Sequence, residues 1–188
     1  LDPNPDCPAS NCCDFFFKGD FSNYQDVYNF GKKVDIITIE IEHVNVEALY
    51  KLEKEGVDVF PSPSNIGLIQ NKGVQKDFFK KNKIPTSNYK RFENKKVLSK
   101  YISKIESVYP FIWKSETMGY DGKGVKLVQS LSDLDEINEN SCIIEDVVEI
   151  KHELSVLVAR NNSGESKSFP VLEMEFNQKS NQVEYVIL

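Results

Sequence analysis

Lys114 and Lys123 bracket a glycine-bearing stretch, Gly119, Gly122 and Gly124, within the run Phe111–Val125, FIWKSETMGYDGKGV. Glycine tolerates positive φ, and successive backbone N–H groups in such a turn can close around an anion. With a lysine on either side, phosphate binding is the chemistry that fits. A plain β-hairpin turn is the competing reading. Against it stand Lys114 at the end of an apolar run, the Tyr120-Asp121 pair inside the loop, and the acidic segment 143–149 that follows.

Three kinds of glycine loop can hold phosphates. A Walker A loop needs GK[ST] opening a helix, whereas Gly122-Lys123 leads into Gly124 and a strand-like run, Val125–Val128. A dinucleotide fingerprint also opens a helix, inside a βαβ unit. The third kind joins two strands and folds over a triphosphate as a lid. The position of this loop between two strand signals selects the third.

The elements around the loop divide by texture. Val34–Ile39, VDIITI, reads as a buried parallel strand, and Asn45 as the cap of a helix carrying Val46, Leu49 and Leu52. Gly56 suits the position just past that helix, and Val57–Phe60 the next strand, so the order is a right-handed βαβ unit. Ser64 or Asn65 then caps a helix expected to run to about Lys81, with Lys72, Lys76 and Lys80 as a basic stripe. For Lys76 and Lys80 the stripe reads as a solvated face. Gly73 inside it costs roughly 1 kcal/mol relative to alanine, which asks for a local reason.

Ile84-Pro85-Thr86 opens a linker, and Lys95–Ser107 has a surface-helix composition. Strands are expected at 111–114, 124–128 and 142–147, with a small helix near Ser132–Asn138. From Glu153, ELSVLVARN alternates before a turn at Asn161–Gly164, and Phe169–Phe176 returns as its partner. The expected class is therefore α/β in the first half and antiparallel-rich α+β in the second.

Bulk properties narrow the partners. The 188 residues carry 23 basic and 29 acidic side chains, net −6, which argues against general nucleic-acid binding. No apolar run reaches membrane-spanning length, and no signal peptide is visible. The cysteines, Cys7, Cys12, Cys13 and Cys142, do not form a CxxC pair, and His43 and His152 lie far from them in sequence. Reduced, mostly buried thiols in a cytoplasmic protein are expected. Leu1-Asp2-Pro3 reads as the end of a strand.

Five stretches carry a resemblance: LDPNPDCPA at the start, TIEIEHVN at 38–45, QNKGVQKDFFKKNKIPTS at 70–87, PFIWKSETMGYDGKGV at 110–125 and IIEDVVEIKHELSVLVARN at 143–161. In this order they resemble the ATP-grasp family of 5-(carboxyamino)imidazole ribonucleotide synthetases. The resemblance implies a partial ATP-grasp fold. Residues 1–90 would be the latter part of a pre-ATP-grasp domain, 91–148 the lid subdomain and 149–188 the first strands of a C-terminal lobe. It implies ATP-dependent carboxylation of aminoimidazole ribonucleotide by bicarbonate through carboxyphosphate, giving ADP and phosphate.

By that resemblance Lys72 and Lys114 contact the ATP phosphates, and Gly119, Tyr120, Asp121, Gly122, Lys123, Gly124 and Val125 cover them. Glu145, Asp146, Val147 and Val148 line the adenine, and Glu153 accepts hydrogen bonds from the ribose. Tyr120, Asp121 and Lys123 are the implied catalytic residues. Glu42, just past a parallel strand's end where open α/β sheets bind ligands, faces the ribonucleotide together with Tyr120. Glu173-Met174-Glu175-Phe176 departs from the family's acidic-Asn-x-His pattern, so no contact carries over to Phe176, and Glu173 is at most a candidate.

The family's Mg²⁺ ligands and substrate-phosphate residues are expected outside this chain, which reads as an internal portion of a homodimeric enzyme. Alone it is expected to turn over little ATP. The alternatives are a non-catalytic nucleotide-binding fragment and an ATP-grasp ligase with another acceptor.

Overall fold

A computed structural model describes residues 1–105, 108–117, 119, 124–177 and 182–188. The expectations placed on Tyr120, Asp121, Gly122 and Lys123 fall outside the described residues. The chain forms two compact units.

The first unit comprises Leu1–Thr86 with short pieces around Glu116 and Ser141. Its elements begin with α1 (Tyr24–Gly31), β1 (Ile36–Thr38), α2 (Val46–Lys54) and β2 (Asp58–Phe60). β1 and β2 pair in parallel, Ile37 opposite Val59, as the strand–helix–strand order requires. The Asn45 side chain accepts from the Ala48 amide, and Gly56 follows α2 at φ +92°, a conformation that only glycine adopts freely. Val27, Ile37, Ala48, Leu49, Leu52 and Val59 close the core, with Ala48, Leu49 and Leu52 at 0% exposure. Helix α1 has a local cause not drawn from the sequence: the Asn23 carboxamide accepts from the amides of Gln25 and Asp26.

The helix expected from Ser64 to Lys81 is two helices, α3 (Pro63–Gln70) and α4 (Lys72–Lys81). Ser62 takes the cap position of α3, with Pro63 in its first turn, in place of Ser64 or Asn65. Asn71 breaks the run: its backbone is extended, φ −124° and ψ 108°, and its side chain caps α4 by accepting from Val74 N. An asparagine offered both roles favours the cap over the helix interior. Gly73 is the buried residue of α4, the local reason that its presence called for. Val74 and Phe78 lie on the exposed side, each 41% accessible. Lys76 is half-buried rather than solvated, its Nζ donating to Thr86 Oγ1 at 2.6 Å, while Lys80 is exposed.

The second unit holds most of the residues from Ser87 to Leu188. It contains β3 (Tyr89–Phe92), α5 (Lys95–Ile102), β4 (Phe111–Ser115), β5 (Val125–Val128) and β6 (Cys142–Asp146). Strand order is β3-β6-β4-β5. β3 lies where a linker was expected, and α5 ends at Ile102, well short of Ser107. The small helix is a 3₁₀ segment, Leu131–Glu136, opened by Asp133, whose carboxylate accepts from the amides of Gln129 and Ser130 at 2.8 and 2.9 Å. Those two amides hold its pKa below the usual aspartate value.

The remaining strands are β7 (Glu153–Ser155), β8 (Val158–Arg160), β9 (Ser166–Ser168), β10 (Leu172–Phe176) and β11 (Val183–Ile187). The alternating run from Glu153 thus splits into β7 and β8, which pair with β10 and β9 respectively. Beyond Glu145 none of the described residues is buried. The thiols also differ from expectation. Cys142 is buried in β6, but Cys12 and Cys13 are exposed and Cys7 half-exposed, because the 3₁₀ turn Pro8–Asn11 beside them buries nothing.

Candidate functional site

Alternation along β4 decides what Lys114 can do. Phe111, Trp113 and Ser115 are buried on one face, which leaves Ile112 and Lys114 on the other. The antiparallel register sets Lys114 opposite Val125 and Ile112 opposite Leu127, so two exposed aliphatic side chains of β5 share the Lys114 face. Glu145, near the end of β6, is 6% exposed, and its Oε1 lies 3.1 Å from Lys114 Nζ. Ser87 Oγ donates to the other oxygen, Oε2, at 2.6 Å.

A carboxylate this buried is stable as an anion only with such partners. The result is an ion pair on an apolar floor. An ammonium beside aliphatic surface suits a ligand with a flat apolar part and an anionic part, since the lysine carries donors beyond the one that meets Glu145.

The chain beyond Glu145 is pinned from the same side. Asn88 Nδ2 donates to Asp146 Oδ2 at 2.7 Å, and the Asp146 amide donates to Asn88 O at 3.1 Å. The strand stops at Asp146, so Val147 and Val148 follow it rather than belonging to it. Both are open, 46% and 58% exposed. Ser87 and Asn88 were not among the residues singled out from the sequence; they lie 58 positions from their partners, and only the fold joins them.

At the root of the glycine loop, the Ser115 amide donates to Gly124 O at 2.8 Å. Gly124 has φ +75°, and a Cβ there would meet Gly119 Cα at 3.2 Å. Glycine is therefore required by conformation and by close approach together. Gly119 and Gly124 are brought together, and Val125 begins β5 directly beyond them.

Glu153 opens β7 opposite Met174 of β10, beside a cleft of about 410 Å³ that His152, Glu173 and Glu175 also line. His152, just ahead of β7, lies with its Nδ1 2.5 Å from Glu173 Oε1 of β10, a pair that the sequence did not disclose.

Two expected residues belong to the first unit. Lys72 is the first residue of α4, and its amide donates to Glu116 O at 2.9 Å. Glu42 is exposed on the loop after β1, whose carbonyls at Glu42 and Val44 accept from Gln70 Nε2 at 2.6 and 2.8 Å. Among the described residues, no three His, Cys, Asp or Glu side chains group as metal ligands. None of the described helices is long and apolar enough to cross a membrane.

A family model for the ATP-grasp domain matches residues 77–188, and one for the ribonucleotide synthetase preATP-grasp domain matches residues 1–70. The chain belongs to the ATP-grasp family. It is 38% identical over 162 residues to a phosphoribosylaminoimidazole carboxylase of Candida glabrata, covering 82% of this chain and 28% of the relative. A carboxyaminoimidazole ribonucleotide synthase from Aspergillus clavatus complexed with ATP superposes with TM-score 0.85 at 30% identity, over 98% of this chain and 49% of that one. A second A. clavatus structure, the N5-carboxyaminoimidazole synthase with ADP and 5-aminoimidazole ribonucleotide, gives TM-score 0.77 at 26% identity, over 95% and 47%. The chain thus spans half or less of the length of these ATP-grasp relatives. The resemblance and the fold class drawn from the five sequence stretches are borne out.

Proposed function

We propose that the full-length protein is an ATP-dependent carbon–nitrogen ligase that carboxylates 5-aminoimidazole ribonucleotide with bicarbonate, forming N5-carboxyaminoimidazole ribonucleotide, ADP and phosphate. The single observation that carries this reading is the Lys114–Glu145 pair on its apolar floor, at the foot of a glycine loop closed through Ser115 and Gly124. It stands in a chain whose relatives are named for that synthesis and were solved with ATP, ADP and the ribonucleotide.

In this reading the chain's own residues bind and orient. Lys114 and Lys72 supply positive charge to the triphosphate. Amides from Gly119 to Val125 cover it and keep water from carboxyphosphate. Glu145, Asp146, Val147 and Val148 take the adenine edge, and the Glu153 carboxylate the ribose hydroxyls. Glu42, Tyr120, Asp121 and Lys123 face the ribonucleotide and bicarbonate.

The bonds change in two steps. A bicarbonate oxygen attacks the γ-phosphorus and ADP leaves; the substrate amine then attacks the carboxyphosphate carbon and phosphate leaves. Magnesium would supply further charge neutralisation for the triphosphate. The described residues do not offer a cage for it.

We further assign 1–90 to the pre-ATP-grasp part, 91–148 to the lid and 149–188 to the C-terminal lobe, in a cytoplasmic homodimer. The test is ADP release by the full-length protein with ATP, bicarbonate and aminoimidazole ribonucleotide. Release should depend on all three. Equal release with an unrelated amine or carboxylate would replace this acceptor by another.

A further inference from the structure

Three consecutive residues at the junction of α3 and α4 hold two other pieces of the first unit. Gln70, the last residue of α3, directs Nε2 to two main-chain carbonyls, Glu42 O at 2.6 Å and Val44 O at 2.8 Å. Asn71 caps α4 and reaches Glu116 Oε2 at 3.5 Å, and the Lys72 amide donates to Glu116 O. A glutamine side-chain amide carries two N–H donors on one nitrogen. Two carbonyls converging on that nitrogen use both.

The clamped loop follows the C-terminal end of the parallel strand β1. Val44 is buried and anchors one end, while Glu42 remains exposed. The Asn45 amide donates to Phe21 O at 2.8 Å, fixing the exit into α2. Carbonyls outside a strand ladder need another donor once burial keeps water away, and Gln70 supplies it at both positions.

We infer that Gln70 is a positioning residue: through the carbonyls of Glu42 and Val44 it fixes the loop that carries the Glu42 carboxylate, the group proposed to meet the ribonucleotide. The substrate named in this inference rests on the proposed function; the clamp does not. Gln70 donates to main-chain carbonyls and transfers no proton.

The test uses the full-length protein and two variants. Gln70→Met keeps the side-chain length and helix propensity but removes both donors. Gln70→Glu keeps the shape and turns an acceptor toward two acceptors. In each, KM for aminoimidazole ribonucleotide should rise about tenfold, with Gln70→Glu the worse, while KM for ATP stays within about twofold. Amide hydrogen exchange across residues 40–45 should speed up by a similar factor, without ligand present.

Equal rises in both KM values would overturn the positioning role and leave a general folding role. Unchanged exchange would overturn the clamp. Accelerated exchange with unchanged ribonucleotide KM would show a clamp that does not serve the substrate, and so also contradicts the inference. Wild-type protein lacking ribonucleotide-dependent ADP release would instead overturn the proposed function and the substrate named here, with exchange still deciding the clamp.

Discussion

The β1–α2–β2 layer of the first unit and the strands β7–β11 of the second are built on opposite terms. In the first, helix periodicity and strand alternation converge on one interior, and Ala48, Leu49 and Leu52 lose all contact with solvent. In the second, β10 pairs on both edges, with β7 and with β11, yet Leu154, Val171, Val186 and Ile187 all stay more than a third exposed. Strand pairing satisfies backbone groups, but burial of apolar area supplies most of the driving force. The comparison separates a region that holds itself together from one whose side chains remain available to a ligand or to further protein surface.

Core truncation gives the largest contrast. Leu49→Ala should cost about 2–5 kcal/mol, because a fully buried side chain leaves a cavity. Leu154→Ala, 61% exposed, should cost about 0.5 kcal/mol or less. Chemical denaturation of both variants checks this, and equal costs would break the comparison.

The root of the glycine loop should fall between these two. Gly124→Ala puts a side chain at φ +75° and 3.2 Å from Gly119 Cα, so a loss of about 1–2 kcal/mol is expected. A neutral result in the same denaturation series would mean that the turn adapts without strain.

The smallest effect concerns charge on the first unit. Glu55 accepts from Lys51, Tyr28 and Lys32, which together hold its pKa at about 2, against an ordinary 4.5. A depressed carboxylate contributes stability that is fully present above pH 4.5 and is lost as pH falls through about 2. Glu55→Gln should therefore flatten the acid limb of a stability–pH profile and leave the shape above pH 5 unchanged. The pair is exposed, so the change should be slight. An unaltered acid limb would show that these contacts do not persist in solution.

What was legible in the sequence follows the same division. Asn45 and Gly56 bracket α2 by local capping chemistry, and the βαβ unit was readable from them. The family was readable because GYDGKGV follows Lys114 and sits between strand signals. Asn71 shows the limit of periodicity: it sits in the interior of one expected helix, yet its side chain competes with the helix for backbone donors and caps α4 instead. Ser87, Asn88 and Gln70 were out of reach for another reason. Each acts on a partner 26 or more residues away, so nothing local distinguishes it. β3 was missed because Lys90 and Arg91 are exposed on it, leaving Tyr89 and Phe92 as too short an apolar signal.

The central claim is that Lys114, paired with the buried Glu145, is a phosphate-binding lysine of the nucleotide site. Calorimetric titration of ATP into full-length wild type and Lys114→Ala, at one salt concentration, tests it most directly. The account predicts an affinity loss of about a hundredfold, as expected when a charge-assisted contact to phosphate is removed. Unchanged affinity in a folded variant would contradict it.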